Sequence, residues 1–407
     1  MVNEASDRSS ARRLYLLSFS FSMVGTGLWM PLNAVFLTEE RHMSAAQVGA
    51  YYTVMAGAAV LSNLVAGGIA DRYGPFRPFV LAAIVQGVGI GALLLAHDVP
   101  GVFLAAAVSG VGNGAFFATQ TAVLVRIFGT SGLTRIFGIQ YQIMNVAIAV
   151  GAGVLGLMVA RLGYAGYVIG FATNAVSYVV HGLNVSGPVR RLAGATEPSH
   201  ASPARAKPWA PYLDRAYLPV IMTQLCICLF GYAQLEAVIP VVFRHGTGLP
   251  LWAITLLAAL NSVVVVVAQP FATRWVERNG HRPGLRLALW CWIAAAAPAV
   301  VAPHLGPTPL RIAAALAFSA AFALGEVFVS PSMNPMAAAA APRDRIASYT
   351  AAVSLAYSLG LILGPSLLLP VFGVSASLYW GVIVVGCLLG RFALSRTVTR
   401  PAPAPVS

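Results

Sequence analysis

Long apolar runs alternate with short polar segments from one end of this chain to the other. The hydrocarbon core of a bilayer is about 30 Å thick, so a helix needs about 20 apolar residues to cross it. Twelve runs have that length: 14–38, 46–70, 77–97, 101–126, 134–160, 164–187, 216–243, 250–273, 284–303, 308–336, 346–371 and 375–394. Lipid offers the backbone no hydrogen-bond partner, so each run must satisfy its own amides as a helix. The pattern predicts an all-α membrane protein with twelve transmembrane helices in two bundles of six. Residues 1–187 form the N-terminal bundle and 215–407 the C-terminal bundle. Between them, 188–214 is polar, basic and rich in proline and serine, and it reads as a cytoplasmic linker. The chain ends on a short Pro-rich tail, 401–407, whose composition predicts disorder.

Composition sharpens this picture. Of 407 residues, 58% are hydrophobic and 9% charged, and the mean hydropathy is +0.78. Twelve crossings leave only short loops, so no separate soluble catalytic domain fits. A net charge of +13 would point to nucleic acid in a soluble chain. Here the basic residues recur in every second loop, as topology signals do, and no nucleic-acid partner is expected. With the N-terminus inside, only Arg41, Arg161, Arg244 and Arg311 fall outside; the other 21 of 25 Lys and Arg fall on the cytoplasmic side. Both termini and the linker are therefore expected in the cytoplasm, with the chain multi-pass in the cell membrane. The run from Leu14 to Leu37 is too long for a signal-peptide core and reads as a retained first span.

Chemistry-bearing motifs are sparse. Cys226, Cys228, Cys291 and Cys387 all lie in apolar runs without metal-ligand spacing. No HxxxxD, DxxxD or HExxH pattern occurs, and no Gly-rich phosphate loop. The expectation is a protein that is not an enzyme, with neither metal nor cofactor, drawing its energy from an ion gradient.

An internal repeat supports two related halves. After the second run the chain reads Gly67-Gly-Ile-Ala-Asp71-Arg72-Tyr-Gly74-Pro75-Phe76-Arg77. After the eighth it reads Thr273-Arg-Trp-Val-Glu277-Arg278-Asn-Gly280-His-Arg282-Pro283. A shift of 206 residues lays acid on acid, Arg on Arg and Gly on Gly, as in a duplicated, pseudo-symmetric architecture. Gly-x-x-x-Asp-Arg-x-Gly between helices 2 and 3, with twelve helices and a basic central linker, resembles the major facilitator superfamily over essentially the whole chain. Pro75 and Phe76 stand where that signature carries two basic residues, leaving Arg77 late. The resemblance implies a conformational latch built from Gly67, Asp71, Arg72 and Gly74, with Glu277, Arg278 and Gly280 as its counterpart. In it the acid meets the N-terminal end of helix 11, where exposed N–H groups favour an anion.

Ionisable residues inside a span are costly and are functional candidates by default. Glu236 lies in the outer half of helix 7 and Glu326 near the middle of helix 10. The resemblance implies that helices 1, 4, 7 and 10 line a central cavity. It also relates Gly325-Glu326, followed by Pro331 and Ala341-Pro342, to a stretch shared by proton-coupled facilitators. A carboxylate in a half-dry cavity can load a proton near neutral pH. The cavity candidates are Phe21, Trp29 and Asn33 on helix 1; Asn113, Phe117 and Gln120 on helix 4; Tyr141 on helix 5; Tyr232 and Gln234 on helix 7; and Phe328 on helix 10. Aromatic rings with a few amides suit an amphipathic organic ligand. His181, alone near the inner end of helix 6, reads as a packed histidine. Related exporters carry Gly-x-x-x-Gly-Pro on helix 5; here Gly360-Leu-Ile-Leu-Gly364-Pro365 stands on helix 11. The expected function is secondary active transport, a proton-coupled, multidrug-like efflux of a small organic compound by alternating access. The chain is expected to work as a monomer, with a small-molecule substrate, protons and lipid as partners. The alternative is a proton-coupled or facilitative importer.

Overall fold

The computed structural model describes residues 2–130, 132–194, 209–234, 242–243, 246–249 and 251–397, which are helical apart from short turns and contain no strand. We number the long helices α1 (Val2–Gly27), α2 (Ala45–Tyr73), α3 (Phe76–Leu95), α4 (Val99–Phe128), α5 (Leu133–Leu162) and α6 (Tyr164–Asn184). The second set is α7 (Leu218–Ile227), α8 (Leu251–Asn279), α9 (His281–Val301), α10 (Thr308–Ala340), α11 (Ile346–Val374) and α12 (Ala376–Ser395). Among the described residues, nine helical stretches are long and apolar enough to cross a membrane.

Apolar runs mark where a helix is in lipid, not where its hydrogen bonding stops, and the helices overrun the runs accordingly. The stretches after the second and eighth runs are not loops: helix persists through Tyr73 and Asn279. Each ends only at a glycine with positive φ, Gly74 at 86° and Gly280 at 93°, a conformation open to glycine and costly for residues with a Cβ. The first run deviates most. Helix α1 begins among polar residues at Val2 and stops at Gly27, so 14–38 is not one rod. A 3₁₀ turn over Met30–Leu32 and a π turn over Phe36–Glu40 follow. Pro31 lies in that 3₁₀ turn and has no N–H to continue an α ladder. Beyond α7, the π turn Cys228–Tyr232 carries the chain to Gln234.

The chain forms two compact units. One takes described residues of Met1–Gly132, Gln140–Pro208 and Arg343–Ser354; the other takes those of Leu133–Ile139, Trp209–Pro342 and Leu355–Ser407. Thus the first turns of α11 belong with α1–α6, and the first turns of α5 belong with α7–α12.

Small residues allow the tight packing of the first unit. Added Cβ atoms at Gly110 and Gly114 of α4 would lie 2.1 Å and 2.0 Å from the carbonyl oxygens of Met55 and Ala59 on α2. Alanines make two further layers, Ala66–Ala118–Ala351 and Ala70–Ala122–Ala347, that seat the start of α11 against α2 and α4. Two of the predicted outer arginines act as braces. Arg41 donates to the Leu94 carbonyl at 2.8 Å, at the C-terminal end of α3 where a cation is favoured. In the other unit Arg311 donates to the carbonyls of Leu305, Gly306 and Thr247.

Candidate functional site

Helix α10 runs unbroken through Pro331 and Pro335. Pro331 has no N–H for the carbonyl four residues back, that of Val327, and lipid supplies no substitute. Gln269 on α8 does: its Nε2 donates to Val327 O at 3.1 Å. Two turns away on the same face of α8, Asn261 Nδ2 donates to Glu326 Oε2 at 2.7 Å. Ser319 of α10 donates to Leu257 O at 2.7 Å, completing a row of α8–α10 bonds. Glu326 is 1% exposed and therefore faces protein, not acyl chains. Sequence reasoning picked out Glu326 but missed Asn261 and Gln269, whose signal was two amides two helical turns apart in an apolar run.

In the same unit, the turn after α7 and helix α9 supply aromatic rings. Tyr232 stacks edge-on against Trp292 of α9 and Tyr357 of α11, with centroids 5.9 Å and 6.0 Å apart. Gln234 is buried; it donates to Leu229 O at 2.8 Å and accepts the hydroxyl of Tyr379. Phe328 is half-buried, edge-on to Trp275 of α8 at 5.5 Å. The Gly360/Gly364 pair presses α11 onto the π turn that follows α7: added Cβ atoms would meet those of Cys228 at 2.4 Å and Ala233 at 2.2 Å. Glu236 and Arg244 lie outside the described residues.

In the other unit, Asn33 is fully buried and donates to Tyr52 Oη at 3.2 Å and Tyr51 Oη at 3.4 Å. Trp29 is buried, Asn113 and Tyr141 are half-buried, and Gln120 is buried beside the Tyr15 hydroxyl. Phe21 and Phe117 are 41% and 46% exposed. His181 is fully buried among Tyr15, Phe19, Phe79 and Phe116, with Nδ1 2.9 Å from Ser18 Oγ. Among the described residues no group of three or more His, Cys, Asp or Glu could hold a metal.

The two acid-Arg-x-Gly segments have unlike surroundings. Asp71 accepts the N–H groups of Ala347 and Ser348, both at 2.8 Å, and the Ser348 hydroxyl. These amides open α11 and have no partner within it. Gly67 permits the approach: a Cβ there would lie 2.7 Å from Ala351 Cβ and 2.8 Å from Ala347 O. Arg72 is exposed and lies over the Tyr73 ring. In the second unit Glu277 and Arg278 are exposed, and neither makes a hydrogen bond or ion pair among the described residues. There the start of α5 is held instead by Thr134, whose hydroxyl is 2.7 Å from His281 Nε2. Gly138 of α5 packs on the Thr273 hydroxyl. We expect Glu277→Gln to leave the melting temperature of the detergent-purified protein unchanged. His281→Ala should lower it by the equivalent of about 1 kcal/mol, the usual net worth of one hydrogen bond. Equal melting temperatures for the two variants would remove the role given to the Thr134–His281 bond.

Known proteins place these features in a family. The profile of the Major Facilitator Superfamily matches residues 14–365. The uncharacterized MFS-type transporter YttB of Bacillus subtilis (strain 168) is 22% identical over 357 residues, covering 87% of this chain and 86% of that protein. A Na(+), Li(+), K(+)/H(+) antiporter of Planococcus maritimus is 22% identical over 419 residues, covering 91% of each. Among solved structures, an outward-facing bacterial homologue of the iron transporter ferroportin superposes with a TM-score of 0.76 at 15% identity, covering 95% of this chain and 98% of that one. The human organic anion transporter MFSD10 (TETRAN) gives 0.66 at 12%, covering 95% and 99%. The shared fold is the twelve-helix, two-bundle architecture, and this chain, a multi-pass membrane transporter of small molecules, belongs to the Major Facilitator Superfamily.

Proposed function

We propose that this protein is a proton-coupled exporter of a small amphipathic organic compound, working as a monomer in the cell membrane with both termini cytoplasmic. The observation that carries the reading is Glu326: a carboxylate mid-span, withdrawn from lipid and accepting a hydrogen bond from the Asn261 amide. A carboxylate buried within a span is costly in its ionised form and can cycle between protonated and ionised states. Glu236, on the seventh apolar run, is its proposed companion. The rings and amides of the candidate helices would grip the compound, and the confinement of Arg to the ends of those spans (Arg126, Arg135, Arg311) disfavours a strongly anionic one. Exchange against protons is further supported by the antiporter relative. Asp71, with Gly67 and Gly74, would act as the cytoplasmic latch by holding the start of α11 to α2.

A growth-protection screen of expressing cells against chemically diverse toxic compounds identifies the substrate. Inverted vesicles then test the coupling. With the lumen acidified, the compound should accumulate inside, and a protonophore should abolish accumulation. Accumulation that instead requires an alkaline lumen would reverse the direction and support proton-coupled import. Indifference to the gradient would remove proton coupling altogether.

A further inference from the structure

We propose that Trp292 on α9 is a positioning residue that sets α10 at Glu326 and α7 at Tyr232 as one unit. The inference rests on the reading of Glu326 as the proton carrier. Trp292 lies on a helix outside the cavity-lining set that the resemblance implies.

Three observations converge on this ring. It is 2% exposed, among the largest fully enclosed side chains in the protein. Its two ends occupy two glycine slots on two different helices. The six-membered edge fills the space above Gly231, where an added Cβ would lie 2.2 Å from Cζ3 and 2.3 Å from Cη2. The pyrrole edge fills the space above Gly325, where a Cβ would lie 2.4 Å from Nε1 and 2.6 Å from Cδ1. Gly325 directly precedes Glu326, and Gly231 directly precedes Tyr232. No other residue type at either position would admit the indole.

The indole is also hydrogen-bonded in place. Its Nε1 donates to the Phe322 carbonyl at 3.0 Å. Phe322 is four residues before Glu326, so its carbonyl is the helical acceptor for the Glu326 amide. Trp292 therefore shares an acceptor with the backbone that carries the acid. A stacked contact with the Phe322 ring, at 5.5 Å, holds the orientation. On the other side, Gly231 and Tyr232 lie in the π turn Cys228–Tyr232 that continues α7, a widened helical turn of the kind that recurs at functional sites. Rings pack in rotamer minima at near-crystalline density, so a shift of either helix must be passed through the indole to the other.

Dicyclohexylcarbodiimide, which modifies protonated carboxyls in apolar settings, reads the consequence. The full-length protein in liposomes is labelled across a pH series, and modification of Glu326 is quantified by peptide mass spectrometry. Trp292→Phe removes the N–H and the second ring while keeping an aromatic group. It should displace the labelling midpoint by about 0.5 pH unit or more, a roughly threefold change in proton affinity. Gly325→Ala should displace it too, by forcing the indole aside. Combining Gly325→Ala with Trp292→Ala should bring the midpoint back towards that of Trp292→Ala alone, because no ring is left to meet the added methyl. A structural role alone would lower the melting temperature of these variants without moving the midpoint, and that outcome overturns the inference. If wild-type Glu326 shows no pH-dependent labelling, the proton reading falls and this inference with it. An unmoved midpoint over clear wild-type labelling sinks the inference alone.

Discussion

Glu326→Gln is expected to reduce substrate-driven proton movement in vesicles about 100-fold or more, the scale on which removal of an essential proton-transfer group acts. The substitution is nearly isosteric, and Gln keeps a carbonyl oxygen to accept from Asn261 Nδ2. The fold and the α8–α10 contact should therefore survive, and binding of the compound should persist in the variant. What disappears is the ability to take up and release a proton. Asn261→Leu separates position from charge. It leaves the acid in place without its amide donor, a loss of about 1.5–3 kcal/mol if the group is ionised and less if it is neutral. Its transport should stay proton-driven but with an altered pH profile. Measured proton uptake in Glu326→Gln equal to that of the wild type would remove Glu326 from the mechanism.

How far the sequence could be read follows from which physical forces leave a trace in it. Lipid demands apolar length, so the spans were legible, and burial of an acid in lipid is costly enough that Glu326 stood out at once. Helix ends were less legible. Asp71 and Glu277 look like loop residues by hydropathy, yet both sit on continuing helix, because backbone bonding runs on until Gly74 and Gly280. The first run looked uniform, yet the chain breaks at Met30-Pro31. Residues that act by filling a missing bond were hidden, since Gln269 makes sense only once Pro331 is known to strand the Val327 carbonyl. Trp292 was hidden for a similar reason: the two glycines that receive it are distant in the chain.

The repeat illustrates the same limit. Acid, Arg and Gly recur at matching places in the two halves, which suggests equivalent latches. The surroundings are not equivalent. Asp71 meets the opening amides of α11, whereas the opening turn of α5 is met by His281 through Thr134, and Glu277 is exposed among the described residues. A repeated motif preserves the turn geometry, which the glycine dictates, more faithfully than the partner, which the facing helix dictates.

Asp71→Ala should free the first turns of α11 from α2, and the expected effect is large. Two charge-assisted backbone bonds and one hydroxyl bond disappear together. Each bond to an ionised acceptor contributes about 1.5–3 kcal/mol, and an anion at a helix N-terminus adds up to about 2 in a partly buried site. Allowing for non-additivity, a net loss of about 3 kcal/mol shifts the held state more than a hundredfold. Asp71→Asn should fall between, because one of its two atoms is a donor facing a donor. The readout is a cysteine at Thr350, 5% exposed and outside the Asp71 bonds, reacted with a membrane-impermeant maleimide in inverted vesicles. Labelling should be at least tenfold faster with Asp71→Ala. Gly67→Val reaches the same end by another route: its side chain has no space against Ala351, Ala347 and Ser348. It should also speed labelling while leaving the carboxylate intact, so a shared phenotype points to the α2–α11 contact and not to the charge itself. Labelling rates unchanged in both variants would show that this contact does not govern access to the start of α11, and Asp71 would lose its role as a latch.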